Sequence, residues 1–88
     1  MKEKIIDLAH GHLTETFDIQ EYCNENNVDI LSVEELLLDN NDLTDILNLH
    51  KARNLKSLVC IYNDIKELKG IDKINLQELI TDEDVKIC

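Results

Sequence analysis

The sequence predicts a small α/β fold assembled from a repeated unit. Three observations support this prediction: a 22-residue pattern that recurs between residues 33 and 75, a helix-capping sequence that begins at Asp18, and an aliphatic composition without Trp or Pro. A chain of 88 residues buries only about 60 to 65 % of its unfolded surface. Its core must therefore be dense in branched side chains, and Leu and Ile supply them.

The net charge of −10 makes a nucleic-acid partner unfavourable. Affinity for phosphates comes from clustered Lys and Arg, and binding of single strands also uses aromatic side chains, of which the chain has only three. An acidic chain attracts basic partners instead. We therefore expect a protein partner with a basic surface.

The start of the chain predicts neither a secretory signal nor a membrane span, because Glu3 and Asp7 interrupt its apolar residues. We expect a cytoplasmic protein without a membrane partner. The cysteines Cys23, Cys60 and Cys88 are odd in number, and their spacings match neither a disulfide framework nor a zinc ribbon. Reduced thiols are the expectation.

A pattern of apolar residues around one Asn recurs after 22 residues. Its first copy consists of Val33, Leu36, Leu38, Asn41, Leu43 and Ile46. Its second copy consists of Leu55, Leu58, Cys60, Asn63, Ile65 and Leu68. Neither a helical period of about 3.6 nor a strand period of about 2 produces these offsets, so they indicate an internal repeat. The return segments, which lead from the end of one copy to the start of the next, correspond as well. Ile46, Leu49, Ala52 and Leu55 in the first match Leu68, Ile71, Ile74 and Leu76 in the second.

The pattern LxxLxLxxNxL resembles the leucine-rich repeat family, and its period is similar to that of the short bacterial subclass. The resemblance covers Val33 to about Thr81. It implies a short solenoid with a small parallel sheet on the concave face, in which each LxL forms one strand. It also implies that Asn41 and Asn63 bond to the backbone of neighbouring turns.

The resemblance implies that residues 1–88 form a single domain. Residues 33–54 and 55–75 are full repeats, and residues 76–88 are a degenerate C-terminal repeat. Residues 1–32 are an N-terminal cap or a divergent first repeat.

Two interpretations of the N-terminal residues remain open. The stretch from Ile6 to Leu13 fits LxLxxNxL with Gly11 in the Asn position, which predicts a strand. Alternatively, residues 2–10 form a capping helix with Ile5, Ile6 and Leu8 on its buried side.

A short helix is predicted on the N-terminal convex side. The sequence from Asp18 to Glu21 is a D-x-x-E capping box, and Ile19, Tyr22 and Cys23 follow a helical spacing. The helix is expected to have two turns and to end at Asn26.

Strand alternation separates the core from the concave face. The residues expected to be buried are Leu36, Leu38, Leu58, Cys60 and Leu79. The exposed positions form an apolar stripe of Leu37, Val59, Ile61, Tyr62 and Ile80. The carboxylates beside the stripe are Glu35, Asp39, Glu78 and Asp82. Such a surface suits a protein that offers an apolar anchor flanked by Lys or Arg, although exposed β-branched residues are also ordinary on sheets.

No catalytic, metal or cofactor site is predicted. His10 and His12 could join Cys23 or His50 as zinc ligands, but their spacing matches no closed zinc motif. The acidic run Thr81 to Asp84 lacks the ligand spacing of a calcium loop. No catalytic pair with a third, orienting group is visible.

Together these features predict a non-enzymatic protein-binding module. A narrower form of the hypothesis is a small acidic inhibitor or immunity-type protein of a basic partner. The alternative is a self-assembling structural repeat protein, because Leu76 and Leu79 would be poorly covered at the C-terminal end. A monomer or weak homodimer is expected in solution.

Overall fold

The computed structural model describes residues 4–88. It has a small α/β fold with one α-helix, α1 (Ile19–Glu25), and short strands that pair in parallel. Among these residues the strands are β1 (Ile5–Asp7), β2 (Thr14–Asp18), β3 (Glu35–Leu37), β4 (Asp42–Leu47), β5 (Ser57–Val59), β6 (Glu67–Leu68), β7 (Glu78–Ile80) and β8 (Lys86–Ile87). Short 3₁₀ turns cover Ile30–Ser32, Leu49–Lys51 and Ile71–Lys73. The predicted α/β class, with a small parallel sheet and one helix, is confirmed.

Strands β1, β3, β5 and β7 form a four-stranded parallel sheet in chain order. The register brings one residue of each predicted unit into line: Ile6, Leu36, Leu58 and Leu79. The strand interpretation of the N-terminal residues is therefore confirmed over the capping helix. Lys2, which belonged to that alternative helix, lies outside the described residues.

Two strand pairs, β2 with β4 and β6 with β8, complete the framework around the core. The four-stranded sheet and the residues directly after its strands contribute the buried side chains of Ile6, Leu36, Leu38, Leu58 and Cys60. The return segments contribute Phe17, Leu43, Ile46, Leu49, Ala52, Leu55, Ile65 and Leu68. Parallel neighbours need crossover connections, and these segments supply them while closing the core.

Asparagine side chains join neighbouring turns. The Asn41 amide oxygen accepts hydrogen bonds from the backbone N–H groups of Gly11 and Leu13, both at 3.0 Å, and its nitrogen donates to the Leu38 carbonyl oxygen at 2.9 Å. Asn63 makes equivalent bonds one unit further along. The predicted bonding of both Asn side chains to turn backbone is confirmed, and it satisfies backbone groups that no adjacent strand reaches.

Left-handed backbone also recurs at equivalent positions. His10, Asn40 and Tyr62 have φ values of 56°, 58° and 63°, and Asn48 and Gly70 have values of 65° and 85°. Gly and Asn tolerate this conformation, whereas a bulky aromatic residue rarely adopts it. The repeat therefore fixes backbone turns as well as core positions.

Helix α1 begins as predicted after Asp18. The Asp18 carboxylate accepts hydrogen bonds from the backbone N–H groups of Gln20 and Glu21 at 3.0 and 3.2 Å, which satisfies donors at the start of the helix. The Asn48 amide donates to the same carboxylate at 2.9 Å and joins α1 to the following unit. Within residues 4–88, no helix has the length and apolar character needed to cross a membrane.

The C-terminal unit departs from the prediction at Leu79. Leu79 is only partly buried, and so is Leu76 before it. The reason is positional, because β7 is the last strand of the described sheet and no further unit covers its outer side. The degenerate repeat nevertheless adds the strand β8, which the sequence did not indicate.

Candidate functional site

Three rows of residues cross the four-stranded sheet on the side opposite the core, and together they are called the sheet face. The first row consists of Ile5, Glu35, Ser57 and Glu78. The middle row consists of Asp7, Leu37, Val59 and Ile80. The third row lies just beyond the strands and consists of Ala9, Asp39, Ile61 and Asp82. The register brings eight of the nine predicted partner-binding residues into these rows.

The backbone ladder keeps the third row in line with the strands. The His10 N–H donates to the Asp39 carbonyl oxygen at 3.0 Å, and the Asn40 N–H donates to the Ile61 carbonyl oxygen at 3.1 Å. These bonds extend the parallel pairing past the ends of β1, β3 and β5. The backbone around Ala9, Asp39 and Ile61 in the third row is therefore held by hydrogen bonds that continue those of the strands.

The middle row carries the apolar centre of the sheet face. Leu37 and Val59 are partly exposed, and Ile80 is 40 % exposed. Adjacent strands lie about 4.8 Å apart, so these three side chains form one continuous strip. Ile61, also partly exposed, lies two residues beyond Val59 and widens the strip.

Tyr62 is the ninth predicted residue, and it lies in the bend after β5. Tyr62 is 65 % exposed, which is more than any other large hydrophobic residue among residues 4–88. Its φ is 63°. The equivalent positions hold His10 and Asn40. An exposed aromatic residue in left-handed backbone costs stability without contributing to the core, which is typical of a functional position.

The four predicted carboxylates have different surroundings. Glu35 is partly exposed on β3. Glu78 accepts a hydrogen bond from the Ser57 hydroxyl at 3.1 Å, and Asp39 accepts one from the Asn40 amide at 2.9 Å. These are side-chain contacts at the surface and leave other carboxylate lone pairs free.

Asp82 has a structural contact that the sequence did not reveal. Its two carboxylate oxygens accept hydrogen bonds from the backbone N–H groups of Tyr62 and Asn63 at 3.1 and 3.2 Å. In the earlier units, the N–H groups of His10 and Asn40, which are equivalent to that of Tyr62, donate to the backbone carbonyl oxygens of the third-row residues Asp39 and Ile61. Asp82 therefore replaces that carbonyl acceptor at the last unit, and the site residues Asp82 and Tyr62 are coupled.

Asp7 joins the carboxylates of the sheet face because β1 is a strand. Its register partner is Leu37, so it borders the apolar strip on the N-terminal side. Its carboxylate accepts a hydrogen bond from the Ala9 N–H at 3.2 Å. The sequence placed Asp7 here only under the strand interpretation.

The structure places the histidines of the considered zinc site on turns. His10 and His12 have φ values of 56° and 58°, whereas Cys23 lies on the buried side of α1. In the part of the chain that the structure describes, no group of three or more His, Cys, Asp and Glu residues could hold a metal ion.

The surroundings of Cys60 and Cys88 favour the protonated form of each thiol. Burial raises the pKa of the Cys60 thiol, with the Thr81 hydroxyl acting in the opposite direction. The exposed Cys88 thiol donates a hydrogen bond to Glu67 Oε1 at 3.0 Å, and this bond raises the pKa of Cys88. Since the thiolate is the nucleophilic form, both environments lower reactivity.

The chain was compared with family models, curated proteins and solved structures. No family model matches the chain, and neither the curated proteins nor the solved structures contain a match. The site is therefore characterised by its own residues.

Proposed function

We propose that the chain is a short leucine-rich repeat solenoid that binds a partner protein on its concave face, which is the sheet face, and that it is not an enzyme. Two features support the solenoid: the four strands pair in chain order, and the Asn bonds and left-handed turns recur with the sequence repeat. Repeats of this kind bury a continuous core by stacking and leave one face for recognition.

The observation that carries the binding proposal is the continuous apolar strip Leu37, Val59 and Ile80 bordered by carboxylates. An apolar centre with a polar rim is the usual anatomy of a protein interface. Tyr62 supplies an exposed aromatic anchor at the edge of the strip, and Tyr is enriched among residues that dominate binding energy.

Charge defines the chemistry of the partner. The chain carries −10, and Asp7, Glu35, Asp39 and Glu78 surround the strip. A partner with an apolar side chain between Lys or Arg residues complements this arrangement and is steered towards it over long range. The narrower proposal is an inhibitor or immunity-type protein that covers the active surface of a basic enzyme.

Affinity capture with matched variants tests the proposal. The wild-type chain, a Leu37→Asp/Tyr62→Ala variant and a Leu47→Asp control are immobilised and exposed to the same extract. Leu47 is 38 % exposed on β4, outside the sheet face, so the control adds the same charge elsewhere. The proposal predicts a basic protein that elutes with salt from the wild type and the control only. Equal capture by all three would place binding elsewhere.

A second candidate function is self-assembly through the C-terminal end. Leu76 and Leu79 are partly buried, Ile87 is 48 % exposed, and the outer edge of β7 has no strand partner among residues 4–88. An open strand edge beside apolar side chains favours pairing with a second copy. The charge of −10 opposes association, so a weak dimer should strengthen as salt screens the repulsion, whereas a tight assembly would be insensitive to salt.

Sedimentation velocity over a range of protein and salt concentrations separates the two candidates. The binding proposal expects a monomer or weak dimer at low salt. A tight dimer or longer assembly that is insensitive to salt would favour the self-assembly function instead.

A further inference from the structure

A groove of about 640 Å³ runs along the segments that lead into the four strands of the main sheet. Lys4, Glu34, Lys56 and Gln77, each of which directly precedes a strand, line it. The groove shares no lining residue with the predicted partner-binding set. It is therefore a separate surface from the sheet face.

The groove is locally basic in an acidic protein. It contains Lys4, Arg53 and Lys56, three of the nine Lys and Arg residues of the chain, against the two carboxylates Asp29 and Glu34. These cations come from the segments before β1 and β5, so the fold and not the local sequence brings them together.

Two of the three cations have no carboxylate partner among the described residues. Glu34 pairs with Lys56 at 3.1 Å, and the Asp29 carboxylate accepts the Leu31 N–H at 3.0 Å. Within residues 4–88, neither Lys4 nor Arg53 forms an ion pair at contact distance, and the charge of Lys4 acts on Glu34 only as a weaker addition to Lys56 in lowering the Glu34 pKa. The groove therefore presents an ammonium and a guanidinium group that are available to an anion.

The remaining lining gives the groove an apolar part. Leu31 is 49 % exposed and Leu55 is buried beside it. The Asn54 amide donates to the Leu31 carbonyl oxygen at 2.8 Å and holds that segment in place. Asn75 and Gln77 add neutral amides to the same lining.

From this arrangement we propose that the groove binds a small organic anion, with a carboxylate or phosphate group on an apolar body. Arg53 and Lys4 bind the charged group, since guanidinium matches both oxyanions in a two-point geometry. Leu31 contacts the apolar body. The volume lies within the usual range for small-molecule sites, about 300 to 1,000 Å³.

Titration of the ¹⁵N-labelled chain tests the proposal and identifies the anion. Phenyl phosphate and benzoate are the two probes, with inorganic phosphate and benzyl alcohol as partial probes. We expect saturable shifts of the Leu31, Arg53 and Asn54 amides with at least one full probe, and the stronger probe identifies the charged group. Weaker binding of both partial probes is expected, because each lacks one of the two contacts.

Matched variants test which charged residues of the groove contribute to anion binding. Arg53→Gln and Lys4→Gln should each weaken binding about threefold to tenfold. Lys69→Gln makes the same charge change outside the groove and should leave binding unchanged. Glu34→Gln should tighten it, because it removes a carboxylate and releases Lys56.

Three results would overturn the proposal. They are no saturable shift with either full probe, inorganic phosphate binding as well as phenyl phosphate, and equal weakening by Arg53→Gln and Lys69→Gln. The second would indicate an adventitious ion only, and the third a general charge effect. Circular dichroism of each variant verifies that it is folded, as expected for exposed side chains.

Discussion

At the scale of single residues, Asn63 shows why the repeat keeps an asparagine. Its amide oxygen accepts from the Leu43 N–H at 3.0 Å, and its nitrogen donates to the carbonyl oxygens of Leu38 and Cys60 at 2.9 and 3.0 Å. The amide supplies an acceptor oxygen and two N–H donors on one short side chain. Asp84, at the equivalent position of the last unit, is exposed and as a carboxylate cannot donate.

Asn63→Ala should lower the free energy of unfolding by about 1 to 3 kcal/mol, because it leaves part-buried backbone groups without partners. Urea denaturation followed by circular dichroism measures the loss. Asn75→Ala, at an exposed position, is the control and should change stability by less than about 0.5 kcal/mol. An unchanged midpoint for Asn63→Ala would contradict the structural role of the Asn bonds.

Tyr62 is expected to lower the stability of the fold and to strengthen partner binding. Tyr62→Asn should raise the free energy of unfolding by about 1 kcal/mol, since Asn adopts left-handed backbone more readily than Tyr. The same variant should weaken partner capture. The reciprocal change Asn40→Tyr, at the equivalent position of the preceding unit, should destabilise by a similar amount. A loss of stability on Tyr62→Asn would show that the ring supports the fold.

At the scale of elements, strand alternation divides β3 into a side that faces the core and a side that belongs to the sheet face. Leu36 is fully buried, whereas its neighbour Leu37 is partly exposed. Adjacent residues of similar chemistry therefore have different roles.

Leu36→Asp should unfold the chain, because it buries an unpaired charge and removes a core side chain, at a cost of about 3 kcal/mol or more. Leu37→Asp should retain the far-ultraviolet circular dichroism spectrum and the cooperative melting of the wild type. Both variants are compared in one thermal series. Equal melting temperatures, or unfolding of the Leu37 variant, would contradict the alternation.

The cap of α1 makes the stability of the fold depend on pH in the acidic range. The hydrogen bond from the Asn48 amide is the main cause that holds the pKa of Asp18 below its ordinary value of 3.8. A pKa lowered in the folded state contributes stability above the unfolded value, and that contribution is lost as pH falls through the folded value. Asn48→Gly preserves the left-handed backbone at φ 65° and removes the amide.

In Asn48→Gly, the pKa of Asp18 should move up towards 3.8, so the stability that Asp18 contributes above this value and loses in acid should become smaller. Carboxyl ¹³C titration by NMR follows the pKa directly. Asp18→Asn serves as the control, because it removes the titrating group and with it the pH dependence of the cap. An Asp18 pKa that is the same in Asn48→Gly and in the wild type would contradict the assigned cause.

The sequence repeat was sufficient to predict the strands of the main sheet, because buried positions and the Asn recur with the same offsets. It was also sufficient for α1, whose cap is local. It did not reveal that Asp82 bonds to the turn at Tyr62, because that contact depends on the register of two strands. Leu79 was expected to be buried because its pattern matches, but its exposure depends on the absence of a following unit among the described residues.

At the scale of the whole molecule, charge is distributed unevenly around the sheet. Carboxylates border the apolar strip of the sheet face, whereas three cations meet in the groove at the start of the strands. The two surfaces therefore suit ligands of opposite charge. A basic protein on the sheet face and a small anion in the groove are compatible occupants, because the two sets of residues do not overlap.

Binding of a partner protein to the sheet face is tested most directly by methyl NMR of the labelled chain with the partner obtained by capture. We predict that the methyl signals of Leu37, Val59 and Ile80 shift or broaden first, while those of Leu47 and Ile87 remain unchanged. Perturbations confined to Leu47, Ile87 or the methyl group of Ile19 in α1, with the strip unaffected, would contradict it.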